Sequence, residues 1–157
     1  MSENLTILQP TIALMIWTMI IWAWMYVTRI PAMQHAQIQP DEAQMAGLLD
    51  QKLPQQVQWK AHNYNHLHEA PTVFYAVAII LALLDAGGGM NALLAWIYTG
   101  LRVAHSLVHV TANKVLVRFV LFLLSSVVLM ALIFNAAMIV FGTTDQAVST
   151  ADLVRAF

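Results

Sequence analysis

From Val115 to Phe141 the chain runs through 27 residues with one charged side chain, Arg118. A helix that spans a bilayer needs about 20 mostly apolar residues. Inside hydrocarbon every backbone N–H and C=O must be bonded within the protein, so a run of this kind is confined to helix. The pattern recurs at about Pro10–Arg29, Lys60–Leu84 and Ala92–Thr111. Only 10% of the residues are charged, against about 25% in ordinary soluble domains. The expected fold is therefore an all-α integral membrane protein, a single domain over 1–157 with four transmembrane helices and the lipid bilayer as its main partner.

The connections are unequal. Residues 30–59 hold Pro31, Gln34, His35, Pro40, Asp41, Glu42, Asp50 and Lys52 and form the longest polar loop. Asp41 is placed to cap a short helix over D-E-A-Q-M-A-G-L-L. Asp85 to Asn91, D-A-G-G-G-M-N, predicts a tight turn. Ala112, Asn113 and Lys114 predict another, and Gly142 is expected to end the last helix before a polar, mobile tail over 143–157. The N-terminus has no basic region ahead of its apolar run, so that run reads as a retained helix. Arg29, Lys52 and Lys60 flank the first loop and Lys114 and Arg118 the third, while the second has no Lys or Arg. The positive-inside rule then puts the first and third loops in the cytoplasm. No basic tract is present, which speaks against nucleic acid as a partner. Cysteine is absent, which removes thiolate chemistry from the protein itself.

The polar residues inside these runs carry the functional signal. Arg102, His105, Ser106 and His109 fall at i, i+3, i+4 and i+7, one face of a helix. Ionisable groups at such depth are costly and mark functional sites by default, although polar side chains also join membrane helices as hydrogen-bond glue. His62, His66 and Glu69 fall at i, i+4 and i+7 at the start of the second run, with Asn65 on the adjoining edge. Arg118 lies one turn into the fourth. The topology brings these three sets to one side of the membrane. Glu69 alone does not neutralise two arginines, and arginine suits bidentate recognition of carboxylates. A small multivalent anion with its own ammonium, a peptide such as glutathione, completes the charge balance, with Glu69 facing the ammonium. The bland alternatives are a structural Glu69–arginine pair and an Arg118 that snorkels to the interface. The i, i+4 pairs His62/His66 and His105/His109 also have metal-ligating spacing, so a histidine-ligated metal or haem protein stays open as a rival.

K-A-H-N-Y-N-H-L-H-E-A-P-T-V-F at the second helix, R-V-A-H-S-L-V-H on the third, and Arg118 nine residues after His109 together resemble the MAPEG family, the membrane-associated proteins in eicosanoid and glutathione metabolism. The likeness extends from about Thr11 to Phe141. It implies a four-helix bundle assembled as a homotrimer in, for a bacterial-type member, the inner membrane. It implies glutathione bound by Asn65, Glu69, Arg102, His105 and His109, and Arg118 as the group that activates the glutathione thiol. The implied activity is a glutathione transferase or peroxidase acting on hydrophobic small molecules. A non-catalytic lipid- or partner-binding protein of the same fold is the alternative. The chain departs from the family pattern at His109, where tyrosine is common, at Lys60, where arginine is common, and in the four-residue separation of Asn65 and Glu69, with His68 at the usual glutamate spacing.

Overall fold

The computed structural model describes residues 3–39, 41–42 and 47–155. After a 3-10 turn at Glu3–Leu5 come six helices: α1 Leu8–His35, α2 Leu48–Lys52, α3 Gln55–His66, α4 Ala70–Leu83, α5 Gly89–Thr111 and α6 Val115–Arg155. Three stretches are long and apolar enough to cross a membrane: Leu8–His35, Gln55–Leu83 and Val115–Gly142. By composition α5 does not join them, because it carries the buried polar residues.

Helix α1 continues past Arg29 through Pro31 to His35, so the polar segment is shorter than expected. The helix expected after Asp41 falls partly on residues outside those described. Within the described part α2 begins after Gly47, whose φ of 75° is a left-handed conformation that suits glycine. Helix α6 does not stop at Gly142 but continues to Arg155.

The second apolar run is not one continuous helix, as its hydropathy predicted. It breaks over 67–69, where α3 closes with Leu67 N–H bonded to Asn63 C=O and α4 opens at Ala70. Pro71 explains the break. It has no N–H to return to the preceding turn, and its ring restricts the residue before it, so it belongs in the first turn of a new helix.

Helix α5 packs along α6, α1 packs against α3, α4 and α5, and α4 packs against α6. The buried apolar core includes Leu14, Ile21, Phe74, Leu81, Tyr98 and Leu132. Large apolar side chains also cover the outside, among them Ile16, Val27, Leu83, Leu116, Phe119 and Phe134. Apolar residues inside and out, with polar groups held between helices, is the arrangement a lipid solvent favours.

One end of the structure is tied by hydrogen bonds across the α4–α5 turn. Ile7 N–H donates to Gly87 C=O at 3.0 Å, Asn4 Nδ2 to Asp85 Oδ1 at 2.9 Å, and Asn135 Nδ2 to Asn91 Oδ1 at 2.8 Å. Gly87 is required there by close approach. A Cβ would overlap the Asn4 carbonyl and come within 2.7 Å of Ile7 Cγ2. At the other end Asn113, with φ 48°, turns the chain from α5 into α6, its N–H capping Val108 C=O at 2.7 Å.

Candidate functional site

Helix α5 turns its polar face inward. Arg102, His105, Ser106 and His109 are all buried, as their shared register predicted. Arg102 is 3% exposed. Its Nε donates to the Tyr98 hydroxyl at 3.0 Å, one turn back. Its guanidinium lies 5.5 Å from the Tyr98 ring centroid and 5.4 Å from that of Phe122 on α6. Tyr98 is itself fixed by stacking on Phe74 of α4 at 4.4 Å. An aromatic sleeve built from three helices therefore holds the cation in place.

His66, at the end of α3, brings a third imidazole to the pair on α5. Its ring centroid is 5.4 Å from that of His109 and 6.4 Å from that of His105, and the latter two lie 6.0 Å apart. His109 is 2% exposed, and its Nδ1 is buried without a hydrogen-bond partner. Arg118 closes the cluster from α6. One of its terminal nitrogens donates to Asn113 Oδ1, while its buried Nε has no partner. It lies near enough to bear electrostatically on both His105 and His109.

A separate polar knot joins three helices beside this cluster. Ser106 Oγ accepts from Trp17 Nε1 of α1 at 2.9 Å and from Asn63 Nδ2 of α3 at 2.6 Å. Asn63 is 0% exposed.

Two expected members stand elsewhere. Glu69 was expected to balance an arginine. Its side chain is 65% exposed, and its carboxylate is bonded to His66 Nδ1 at 3.0 Å. The helix break at 67–69 removes it from the i+7 position that a continuous helix gives it. Asn65 is exposed and lines a different small pocket of about 190 Å³ with Arg29, Asp50 and His62. Lys60 lies over the Trp24 ring at 5.6 Å, away from the cluster. His62 faces Asp50 at 3.8 Å, so the two i, i+4 histidine pairs do not converge with Glu69 on one point. Among the described residues no group of three His, Asp or Glu side chains is arranged to hold a metal ion.

Asn63, Tyr98 and Phe122 were not singled out from the sequence, and Trp17, one of the aromatic residues of the first span, reads there as packing and not as a hydrogen-bond donor. Asn63 had a usable signal: it stands three residues before His66 and shares its helix face, whereas Asn65 is rotated about 100° away. Phe122 had none, since it is one apolar residue within an apolar run.

The family comparison covers all of these residues. The sequence model of the MAPEG family matches residues 7–138, which take in α1 to α5 and most of the apolar part of α6. The chain belongs to the MAPEG family. No curated protein and no solved structure matches it. Within this MAPEG chain Arg102, His105 and His109 share the buried face of α5, with the His66 ring beside the two histidines and Arg118 near enough to act on them electrostatically. Among the described residues no carboxylate forms an ion pair with either arginine.

Proposed function

We propose that this MAPEG protein binds glutathione at the Arg102–His105–His109–Arg118 cluster and uses its thiol against hydrophobic substrates, as a glutathione transferase or peroxidase. One observation carries the reading: Arg102, His105 and His109 are buried on one face of α5 with His66 and Arg118 beside the histidines, and among the described residues no carboxylate pairs with either guanidinium. A buried cation without a counter-charge is expensive. An anionic ligand supplies what the fold leaves out.

The donor set fits glutathione. Arg102 presents a fixed guanidinium suited to a carboxylate. Arg118 keeps a buried Nε with no acceptor, and a cation with a free donor favours thiolate over thiol. Glu69, exposed at the rim, suits the peptide's ammonium. When bound, glutathione supplies a sulfur nucleophile for an electrophilic carbon or a hydroperoxide oxygen. The protein's own residues hold the charge, exclude water and admit the second substrate from lipid. A homotrimer in a bacterial inner membrane, with the first and third loops cytoplasmic, completes the proposal.

The test is turnover and oligomeric state of Arg118→Ala in detergent, with a chromogenic electrophile and glutathione. Loss of about 10²–10³-fold in turnover with the oligomer intact is expected for removal of one such stabilising donor. Wild-type turnover in the variant removes Arg118 from the chemistry. Binding of glutathione without any turnover by the native protein favours a non-catalytic role.

A further inference from the structure

We propose that His109 is the group that takes the thiol proton, and that His66 and Glu69 pass it to the aqueous rim. This rests on the reading of the cluster as a glutathione site. Forming a thiolate in a buried site requires an acceptor for the proton as well as a cation to stabilise the sulfur. The two arginines do not fill the first role, because a guanidinium has no acceptor and stays protonated. His109 does. Its Nδ1 is buried and makes no hydrogen bond, an arrangement that leaves its desolvation uncompensated until a donor arrives. With its proton on Nε2, Nδ1 is a free acceptor.

The surroundings give the proton a direction. Burial, Arg118 from α6, His66 and the more distant His62 from α3, and His105 on its own helix all work against a charge resting on His109, so a proton taken there has to move on. Arg118 lies on the bilayer-spanning helix α6. The His66 ring lies 5.4 Å from that of His109, with its Nδ1 against the exposed Glu69 carboxylate at 3.0 Å. Both side chains there are accessible, 42% for His66 and 65% for Glu69. An imidazolium beside Arg118 is repelled, and a carboxylate at the rim attracts the charge.

The step balances without a co-reactant. The S–H bond breaks, its electron pair stays on sulfur, and an N–H bond forms at His109 Nδ1. Nε2–H then gives its proton to His66 Nε2, through one water or a ring rotation, and His66 Nδ1–H gives its own to Glu69 and solvent. His109 and His66 both return to their starting tautomers by exchange with solvent after product leaves. His109 is thus a catalytic residue, while His66 and Glu69 act through it.

The experiment follows thiolate ultraviolet absorbance after rapid mixing of glutathione with the detergent-solubilised full chain, alongside calorimetric binding. His109→Gln is expected to change affinity by less than about tenfold, under ~1.4 kcal/mol, and to slow thiolate formation by about 10²-fold or more. Its rate should rise with the concentration of buffer base, which a purely structural defect does not produce. H66Q and E69Q should fall between it and the native protein. Thiolate formation at the native rate in H109Q, or a loss that no buffer base restores, overturns the proposal while leaving the glutathione site standing. A native protein that binds no glutathione overturns both. If H109Q does not fold, native rates in both H66Q and E69Q overturn the relay.

Discussion

Replacing Arg102 by methionine, together with Tyr98→Phe, should make the ligand-free protein more stable while abolishing anion binding. The effective penalty for taking a guanidinium out of water is several kcal/mol even after relaxation. Arg102 is 3% exposed and has no carboxylate partner among the described residues. Its offsets are one charged hydrogen bond to Tyr98, about 1.5–3 kcal/mol, and two aromatic faces, about 0.5–2 kcal/mol each. At the lower end of their ranges these sum to about 2.5 kcal/mol, against a penalty of ~4, leaving a deficit of about 1–2 kcal/mol that methionine, a flexible apolar side chain, removes when Tyr98 is changed to phenylalanine with it so that no buried hydroxyl is stranded. For a chain of this size that corresponds to a rise in Tm of about 2–8 °C, read by thermal unfolding in detergent without ligand. Had Glu69 paired with Arg102, the same change would strand a buried carboxylate and lower stability. The structure places Glu69 outside, so the sign reverses. A fall in Tm of comparable size refutes the reasoning, because it means the guanidinium is already neutralised within the folded protein.

Three further outcomes follow from individual contacts. Ser106→Ala removes the acceptor shared by Trp17 and Asn63 and should cost about 1–3 kcal/mol, from interhelical bonds worth ~0.6 on average and ~1.7 at most inside membranes; the Asn63→Leu/Ser106→Ala double variant should recover part of it, and an unchanged unfolding midpoint in S106A contradicts the knot. Gly87→Ala forces a Cβ into the Asn4 carbonyl and Ile7 and should lower Tm by more than an alanine change at the open Gly100, read side by side. Asn113→Gly keeps the left-handed turn but frees Arg118, so turnover should fall with little change in unfolding midpoint; equal activity would show that the asparagine does not position the arginine.

The face Arg102–His105–Ser106–His109 was legible because helical register and burial agree: four polar residues in an apolar run have one side on which to gather. The long apolar runs were legible for the same reason that lipid selects them. The second-helix residues were not, and Pro71 is the cause. A hydropathy pattern reads through residues 67–69 as if the helix continued, yet the missing proline N–H ends one helix and begins another. That break turns Glu69 outward. Register along α3 also separates Asn65 from the inward-facing side that Asn63 and His66 share. The aromatic sleeve around Arg102 was hidden, since Phe122 is indistinguishable in sequence from its lipid-facing neighbours. Helix ends strayed too, with α1 reaching His35 through Arg29 and Pro31 and α6 reaching Arg155, because neither a charged residue nor the loss of apolar character by itself ends a helix.

Whether the arginine–imidazole cluster exists to receive an anion is tested most directly by calorimetric titration of the purified protein with glutathione and, separately, with glutathione whose two carboxylates are esterified. The free acid should bind saturably, that binding should be lost in R102M, and the diester should bind little or not at all to either protein. Equal affinity for acid and diester, or native binding retained in R102M, would contradict that role for the cluster.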